Sequence, residues 1–111
     1  MANKDVYFLG GEIKTPPFSV AARLEAGRAV RNLQSGLLLS MPQSRPMPSI
    51  GKRCHELRIR DEDISWRIIY RTDRDAILIV EIFRKKTPTT PKNIIDLCQA
   101  RLASYDNAAK D

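Results

Sequence analysis

The sequence RCHELRIR from Arg53 to Arg60 is followed by WRIIYR (Trp66 to Arg71) and AILIVEIF (Ala76 to Phe83), and these three segments decide the fold. The first two alternate apolar and polar residues, which is typical of β-strands with one buried face. Short acidic stretches at residues 61–63 and 73–75 predict turns between them. The third segment is almost continuously apolar, which predicts a central strand covered on both faces.

The N-terminal third predicts a short strand and a helix. VYFLGGEI (Val6 to Ile13) is the strand, and Thr15, followed by two prolines, is expected to cap the helix. Gly36 is expected to end that helix, and residues 40–51, with three prolines, are expected to be irregular. Within the predicted helix, apolar residues recur at loosely helical spacing at Val20, Leu24, Val30, Leu33 and Leu37.

The C-terminal part predicts one further helix after the segment RKKTPTTP (Arg84 to Pro91). Thr90 or Pro91 should open it, and the tail after Tyr105 is expected to be frayed. Its apolar stripe consists of Ile94, Ile95, Leu97, Cys98 and Leu102. The expected fold class is therefore α+β, with a small, mostly antiparallel sheet, in a single domain over residues 1–111.

Composition narrows the function classes. The chain has 111 residues, 42% hydrophobic and 29% charged, which suits one folded domain. No apolar run approaches the roughly 20 residues that span a bilayer, and no signal peptide is evident, so a cytoplasmic location is expected. Cys54 and Cys98 lack the spacing of a zinc site and are expected to be reduced thiols; neither a metal nor a cofactor is expected. The net charge of +6 suits a polyanionic partner such as nucleic acid.

The positions of the charged residues on the predicted strands indicate more about function than the net charge does. If residues 61–64 form a four-residue loop, Arg58 faces Arg67 and Glu56 faces Ile69. Alternation then gives one apolar side, which consists of Leu57, Ile59, Trp66, Ile68 and Tyr70. The opposite side is basic and collects Arg58, Arg60, Arg67 and Arg71.

The third strand is expected to continue this basic side. If Thr72 faces Ala76 across the second turn, Glu81 lies beside Arg67, and Lys85 extends the basic side beyond the strand end. One arginine on such a face can simply be solvated. Two directly opposed arginines disfavour folding by a few tenths to about one kcal/mol, so Arg58 opposite Arg67 indicates a site for an anion such as a phosphate.

Other chemically interesting residues are expected to be structural. His55 is the only histidine, but alternation places it on the apolar side, as it does Trp66 and Tyr70, which could otherwise stack RNA bases. The carboxylates at residues 61–63 could suggest a metal site. Three consecutive side chains do not converge readily, so a solvated turn is expected instead.

These segments, in this order, resemble a known family. The strand CHELRIR (Cys54 to Arg60), the strand WRIIYR and the segment FRKKTPTTP (Phe83 to Pro91) are similar to the phage-derived Gp49-like/HigB branch of the RelE toxin superfamily. That branch typically shows an ELR strand, an aromatic-Arg strand and an F-x-K-K-T-x-x-x-P segment before the last helix. The helix ending near LQSG (Leu33 to Gly36) is similar in outline, so the resemblance covers nearly the whole chain.

The resemblance implies a sheet with helices packed on one side, and cleavage of mRNA, usually at the ribosomal A site. By position it implies that Arg58, Arg67 and Lys86 are catalytic. The rest of the basic side, Arg60, Arg71 and Lys85, would then bind RNA. The implied partners are mRNA on the ribosome and a cognate antitoxin, a small helix-turn-helix protein, as in a type II toxin-antitoxin system.

The reaction expected of such a site is metal-independent attack of the RNA 2′-OH on the adjacent phosphate. Two features depart from the wider superfamily. Glu56 stands where many relatives carry a basic residue, and the C-terminal part offers no obvious catalytic histidine or tyrosine. Two alternatives therefore stay open: a RelE-fold nucleic-acid-binding protein that has lost cleavage, and a phage structural or assembly protein.

Overall fold

The computed structural model describes residues 3–10 and 17–110. The strands and helices follow one another along the chain as β1 (Asp5–Phe8), α1 (Val20–Gln34), β2 (Ser44–Pro46), β3 (Cys54–Asp61), β4 (Ile64–Thr72), β5 (Ala76–Arg84) and α2 (Lys92–Ala109). The strands form one sheet in the order β1-β5-β4-β3-β2, in which β1 runs parallel to β5 and the other pairs are antiparallel. The predicted α+β class with a mostly antiparallel sheet is confirmed.

The N-terminal elements differ from the prediction at their ends. Strand β1 ends at Phe8, and the proposed cap Thr15 lies outside the described residues. Helix α1 begins at Val20, because the Ser19 hydroxyl accepts a hydrogen bond from the Ala22 amide at 3.1 Å and so caps the first turn. Gly36, at φ 96°, ends the helix as predicted. The expected irregular segment contains a short strand, β2.

The two helices lie on opposite faces of the sheet, which corrects the expectation that both pack on one side. Strand β5 is apolar on both faces, so each face needs a cover. Helix α1 packs with one buried cluster, whose sheet members are Leu57, Ile59, Trp66, Ile68, Tyr70, Ile77 and Ile79. Helix α2 contributes Cys98 and Leu102 to the other cluster, together with Met47, Ile50, Cys54, Ile69, Ala76, Leu78 and Val80.

The predicted register of the first hairpin is confirmed, and that of the second is wrong. Arg58 pairs with Arg67, although the strands continue to Asp61 opposite Ile64, which leaves a two-residue turn. Strand β5 is displaced along β4 because Thr72 faces Ile77 and an irregularity follows between Ile69 and Tyr70. Consequently Phe83, and not Glu81, faces Arg67, while Glu81 faces Ile69 on the same side of the sheet.

Asp61 is not part of a solvated turn. It is the last residue of β3, it is buried, and its carboxylate accepts a hydrogen bond from the Ser19 amide at 2.8 Å. This bond holds the start of α1 against the sheet. Hydrogen bonding from Ser19 lowers the pKa of Asp61 from its ordinary value.

We expect Asp61→Asn to flatten the pH dependence of stability. A carboxylate whose pKa is lower in the folded protein stabilises the fold above its unfolded pKa of about 4, and this contribution is lost as the pH falls through the lower folded pKa. Urea unfolding should therefore show a deficit of Asp61→Asn against wild type at neutral pH that shrinks at about pH 2.5. Asp63→Asn, in the exposed turn, is the control and should show no such change. A deficit that is equal at both pH values would contradict this role.

The C-terminal helix runs beyond the point where the tail was expected to fray. It continues to Ala109, and Asp106 in its last turns binds Arg71 of β4 at 2.7 Å. Within the described ranges, neither helix combines the length and apolar composition that a membrane span requires. Cys54 and Cys98 are buried free thiols, as predicted, and burial raises the pKa of Cys98 to about 12.

Candidate nucleic-acid interface

The candidate site is a cationic cluster on the α2 side of the sheet, centred on Arg58 of β3 and Arg67 of β4. Their register makes them direct neighbours across the two strands. The Arg67 side chain is only 14% exposed. The Nε atoms of both arginines are buried; that of Arg58 has no hydrogen-bond partner among the residues that the structure describes, and that of Arg67 forms an ion pair with Glu56. Arg58 and Arg67 therefore lie side by side on one face of the sheet, as the predicted register requires.

Glu56 lies at the buried end of the cluster and is fully inaccessible to solvent. Its carboxylate accepts hydrogen bonds from the Thr90 hydroxyl at 2.6 Å and from the Lys85 ammonium at 3.2 Å. The Arg67 Nε lies 3.3 Å from the same carboxylate. Burial alone would raise the pKa of Glu56, but the bonds from Thr90 and Lys85 outweigh it and hold that pKa below its ordinary value.

Arg45 of β2 is a cation of this cluster that the sequence analysis missed. It lies opposite Glu56 in the β2–β3 pairing, and its charge contributes to lowering the pKa of Glu56. The three prolines around it predicted an irregular connection. An irregular connection has no strand register, so the side of the sheet on which Arg45 lies could not be predicted. Its position between residues that pair with β3 could be found only once β2 was known to be a strand.

Burial is the main cause that lowers the pKa of Arg67, and the nearby charges of Arg58 and Arg45 act in the same direction. Glu56 opposes this shift. Lys85 and Arg67 contact the Glu56 carboxylate, and the charge of Arg45 acts on it as well. Since Arg58 lies next to Arg67, these four cations and one carboxylate leave a net positive charge at a partly buried place. Guanidinium groups in this arrangement can bind the oxygens of a phosphate by charge-assisted hydrogen bonds.

The path of the chain into α2 leaves the cationic end of this face uncovered. Thr90, just before the helix, is bound to Glu56 and does not cap α2, whose first turn has no side-chain cap. The helix then proceeds towards Arg71, so the positions further along β3 stay open. Accordingly Arg58 is partly exposed and Arg60 is exposed.

The six cations singled out from sequence have different surroundings. Arg67 and Lys85 contact Glu56, and Arg58 pairs with Arg67 across the two strands. Arg60 flanks them on the same side, and Lys86 is exposed in the loop between β5 and α2. Lys85 is itself buried, with 7% of its side chain exposed, because its ammonium group contacts Glu56.

Arg71 is not brought to the cluster. Its guanidinium donates to both carboxylate oxygens of Asp73, at 2.8 and 3.0 Å, and to both of Asp106, at 3.0 and 2.7 Å. Hydrogen bonding to Asp106 is the main cause that raises the pKa of Arg71. Arg71 is four positions from Arg67, about 13 Å along the strand. Arg71 therefore joins α2 to the end of the sheet.

The aromatic residues and the histidine of the hairpin lie on the α1 side of the sheet, where alternation placed them. His55 stacks on Tyr70 with 5.3 Å between ring centroids, and the Tyr70 hydroxyl shares a 2.5 Å hydrogen bond with Ser44. Trp66 is buried against the edge of Phe18 on the α1 side. Tyr105 lies beside Tyr7 and Arg71, away from the cluster. In the part of the chain that the structure describes, no group of three or more His, Cys, Asp or Glu is placed to hold a metal.

A comparison with protein families agrees with this geometry. The sequence model of the phage-derived protein Gp49-like family (DUF891) matches residues 17–103. The chain belongs to this family. The match contains the whole cluster from Arg45 to Thr90, and the Gp49-like family is the RelE/HigB-like toxin branch that the sequence motifs resemble. Neither a curated protein nor a solved structure matches the chain.

Family membership gives the function in outline. A Gp49-like protein is a phage-derived, toxin-antitoxin-related protein, and an antitoxin is the partner that such a toxin suggests. The mixed sheet with two helices is consistent with a RelE-like fold.

Proposed function

We propose that this protein is the toxin of a type II toxin-antitoxin system and cleaves mRNA on the ribosome. The observation that carries the proposal is the directly opposed pair Arg58 and Arg67, in which the buried Nε of Arg58 has no hydrogen-bond partner among the described residues and that of Arg67 lies 3.3 Å from Glu56. Such an arrangement is unfavourable by itself and becomes favourable when an anion binds both groups. The phosphodiester of RNA is an anion of the right kind for this pair.

The proposed reaction needs no metal. The 2′-oxygen attacks the adjacent phosphorus, the bond from phosphorus to the 5′-oxygen breaks, and a 2′,3′-cyclic phosphate and a 5′-hydroxyl result. Arg58 and Arg67 hold the non-bridging oxygens and stabilise the charge of the transition state. Lys86 donates a proton to the leaving 5′-oxygen, because arginine hardly gives up its own, while the 2′ proton passes to water.

The ribosome has a clear task in this proposal. The cluster supplies cations but no strong general base among the described residues, so the in-line geometry of the 2′-oxygen must come from elsewhere. A substrate held in the decoding site would supply that geometry and convert a slow reaction into an efficient one. Arg60, which is exposed on the same side of β3, would contact the neighbouring phosphates.

A second candidate function is RNA binding without cleavage. The observation in its favour is Glu56, whose carboxylate is bound to Lys85 and lies against Arg67, so that it neutralises part of the cluster. Tyr105 also lies too far from the cluster to take part in proton transfer there.

Incubation of the purified protein with mRNA, with and without translating ribosomes, tests the proposal. We expect in-frame cuts that depend on the ribosome, together with growth arrest on induced expression in bacteria. Coexpression of a neighbouring gene for a small helix-turn-helix protein should restore growth. Salt-dependent RNA binding without any cut, on ribosomes or free, would replace cleavage with the second candidate function.

A further inference from the structure

The Glu56 carboxylate is the most unusual charged group of the molecule. It is fully buried at the side of an RNA site whose other charged groups are cations. Burying a carboxylate costs several kcal/mol unless its oxygens are paired. Here one oxygen accepts from Thr90 and the other contacts both Lys85 and Arg67. The carboxylate thus occupies a position among these cations that resembles that of a bound anion.

Lys85 is the cation that Glu56 engages most completely. Its ammonium group donates to Glu56 at 3.2 Å and is almost inaccessible to solvent. Its backbone amide also donates to the Ser65 carbonyl at 2.8 Å, which fixes the chain just beyond β5. Arg67 contacts the same oxygen of Glu56 through its Nε at 3.3 Å, but its Nη1 also donates to the Trp66 carbonyl at 3.1 Å, so Glu56 is not its only partner.

We propose that Glu56 is an internal counterion that withholds Lys85 from the RNA and leaves Arg58 and Arg67 as the pair that meets the phosphate. This inference rests on the proposed RNA-binding function of the cluster. Glu56 would then limit the number of phosphates that the protein can neutralise, because Lys85 is already bound to a carboxylate of the protein. This role also explains why a glutamate is compatible with a position on an otherwise basic face.

The consequence of removing this charge follows from the flexibility of lysine. In Glu56→Gln the amide can still accept the bond from Thr90, but the Lys85 ammonium loses its charge partner. A buried ammonium without a counterion is unfavourable, and the long lysine stem lets the group move to solvent. Lys85 then joins the basic face and becomes available to a phosphate.

The test is the salt dependence of binding to a short single-stranded 2′-O-methyl RNA, which cannot be cut by 2′-oxygen attack. Each additional phosphate neutralised steepens the slope of log K against log salt by about 0.7 for single strands. We expect this increase in Glu56→Gln relative to wild type. Glu81→Gln is the matched control. It also removes a carboxylate from this face of the sheet, but one that pairs with Arg101 of α2, at 3.5 Å, instead of with Lys85. Its slope should equal that of wild type.

The double variant Glu56→Gln with Lys85→Met keeps the net charge of wild type and covers the case in which Glu56→Gln does not fold. If Lys85 is withheld in the wild type, the double variant keeps the wild-type slope. A slope shallower by about 0.7 would show that Lys85 already contacts RNA, and would overturn the inference. An unchanged slope in folded Glu56→Gln, or no oligonucleotide binding by any variant, would also overturn it.

The test of the counterion and the test of mRNA cleavage can fail independently of each other. Wild-type protein that cuts mRNA, with no slope difference in Glu56→Gln, would reject the counterion and retain the toxin. A steeper slope in Glu56→Gln, with no cleavage by the wild type, would retain the counterion and reject the enzyme.

Discussion

Replacement of Arg58 or Arg67 by alanine is expected to lower ribosome-dependent mRNA cleavage by about 10²- to 10³-fold. Loss of one preorganised donor to a charged transition state has this order of effect. The two arginines act on the same phosphate, so the double variant should lose less than the product of the two single losses. Stability should not fall in parallel in Arg58→Ala, because the substitution removes the repulsion between opposed like charges.

The cleavage rate with programmed ribosomes, measured beside thermal unfolding of the same preparations, checks this prediction. Arg74→Ala is the matched control, since Arg74 is exposed in the turn between β4 and β5. It should cleave at the wild-type rate. Folded Arg58→Ala and Arg67→Ala proteins that retain full activity would remove the pair from the mechanism. Lys86→Ala in the same assay tests the proposed proton donor separately.

Replacement of Arg71 by alanine is expected to destabilise the protein by about 2–3 kcal/mol. Charge-assisted hydrogen bonds contribute about 1.5–3 kcal/mol, and removal of Arg71 leaves two carboxylates facing each other. This loss of unfolding free energy is small for a residue with four hydrogen bonds, because the Asp106 side chain is 48% exposed and solvent screens its charge. The midpoint of thermal unfolding should fall by about 10 °C.

Two variants separate this effect from a general loss of charge. Asp106→Asn should cost less than Arg71→Ala, because Arg71 keeps its bidentate contact with Asp73. Arg53→Ala should change stability by about 0.5 kcal/mol or less, since the Arg53 side chain is 59% exposed and contacts Asp73 at 3.4 Å. A loss in Arg71→Ala no greater than that in Arg53→Ala would show that the network does not hold α2. An Arg71→Ala protein that folds and cleaves normally at low temperature would confirm that Arg71 is not an RNA ligand.

Local pattern determined much of the fold by itself. The alternation in β3 and β4, joined by a short polar turn, predicts their pairing, and hence that Arg58 faces Arg67 while Leu57 and Trp66 are buried. Contacts of this kind span few residues, and a slip by one residue would turn the apolar set to solvent. The same segments carry the motifs of the Gp49-like family, so the family could also be recognised from them.

The second hairpin shows where local pattern becomes insufficient. Strand β5 is apolar on both faces, so its register with β4 is not determined by burial of one side. The irregularity after Ile69 places Phe83 opposite Arg67, and no residue pattern indicates it. In the same way, the prolines around Arg45 hide a strand that is defined only by its pairing with β3.

The basic residues themselves look alike in sequence, and only the tertiary structure distinguishes their surroundings. Arg71 meets Asp106 across 35 residues, and Lys85 meets Glu56 across 29. The first contact depends on α2 covering the face opposite α1, and the second depends on the path of the chain beyond β5, where the Lys85 amide binds the Ser65 carbonyl. Neither strand alternation nor helical spacing determines these arrangements. Strand alternation alone predicts a basic strand face with an opposed arginine pair. The packing of α2 and the path of the chain beyond β5 set which of those cations are bound internally and which remain open to an anion, because a buried charge must find its partner wherever the chain brings one.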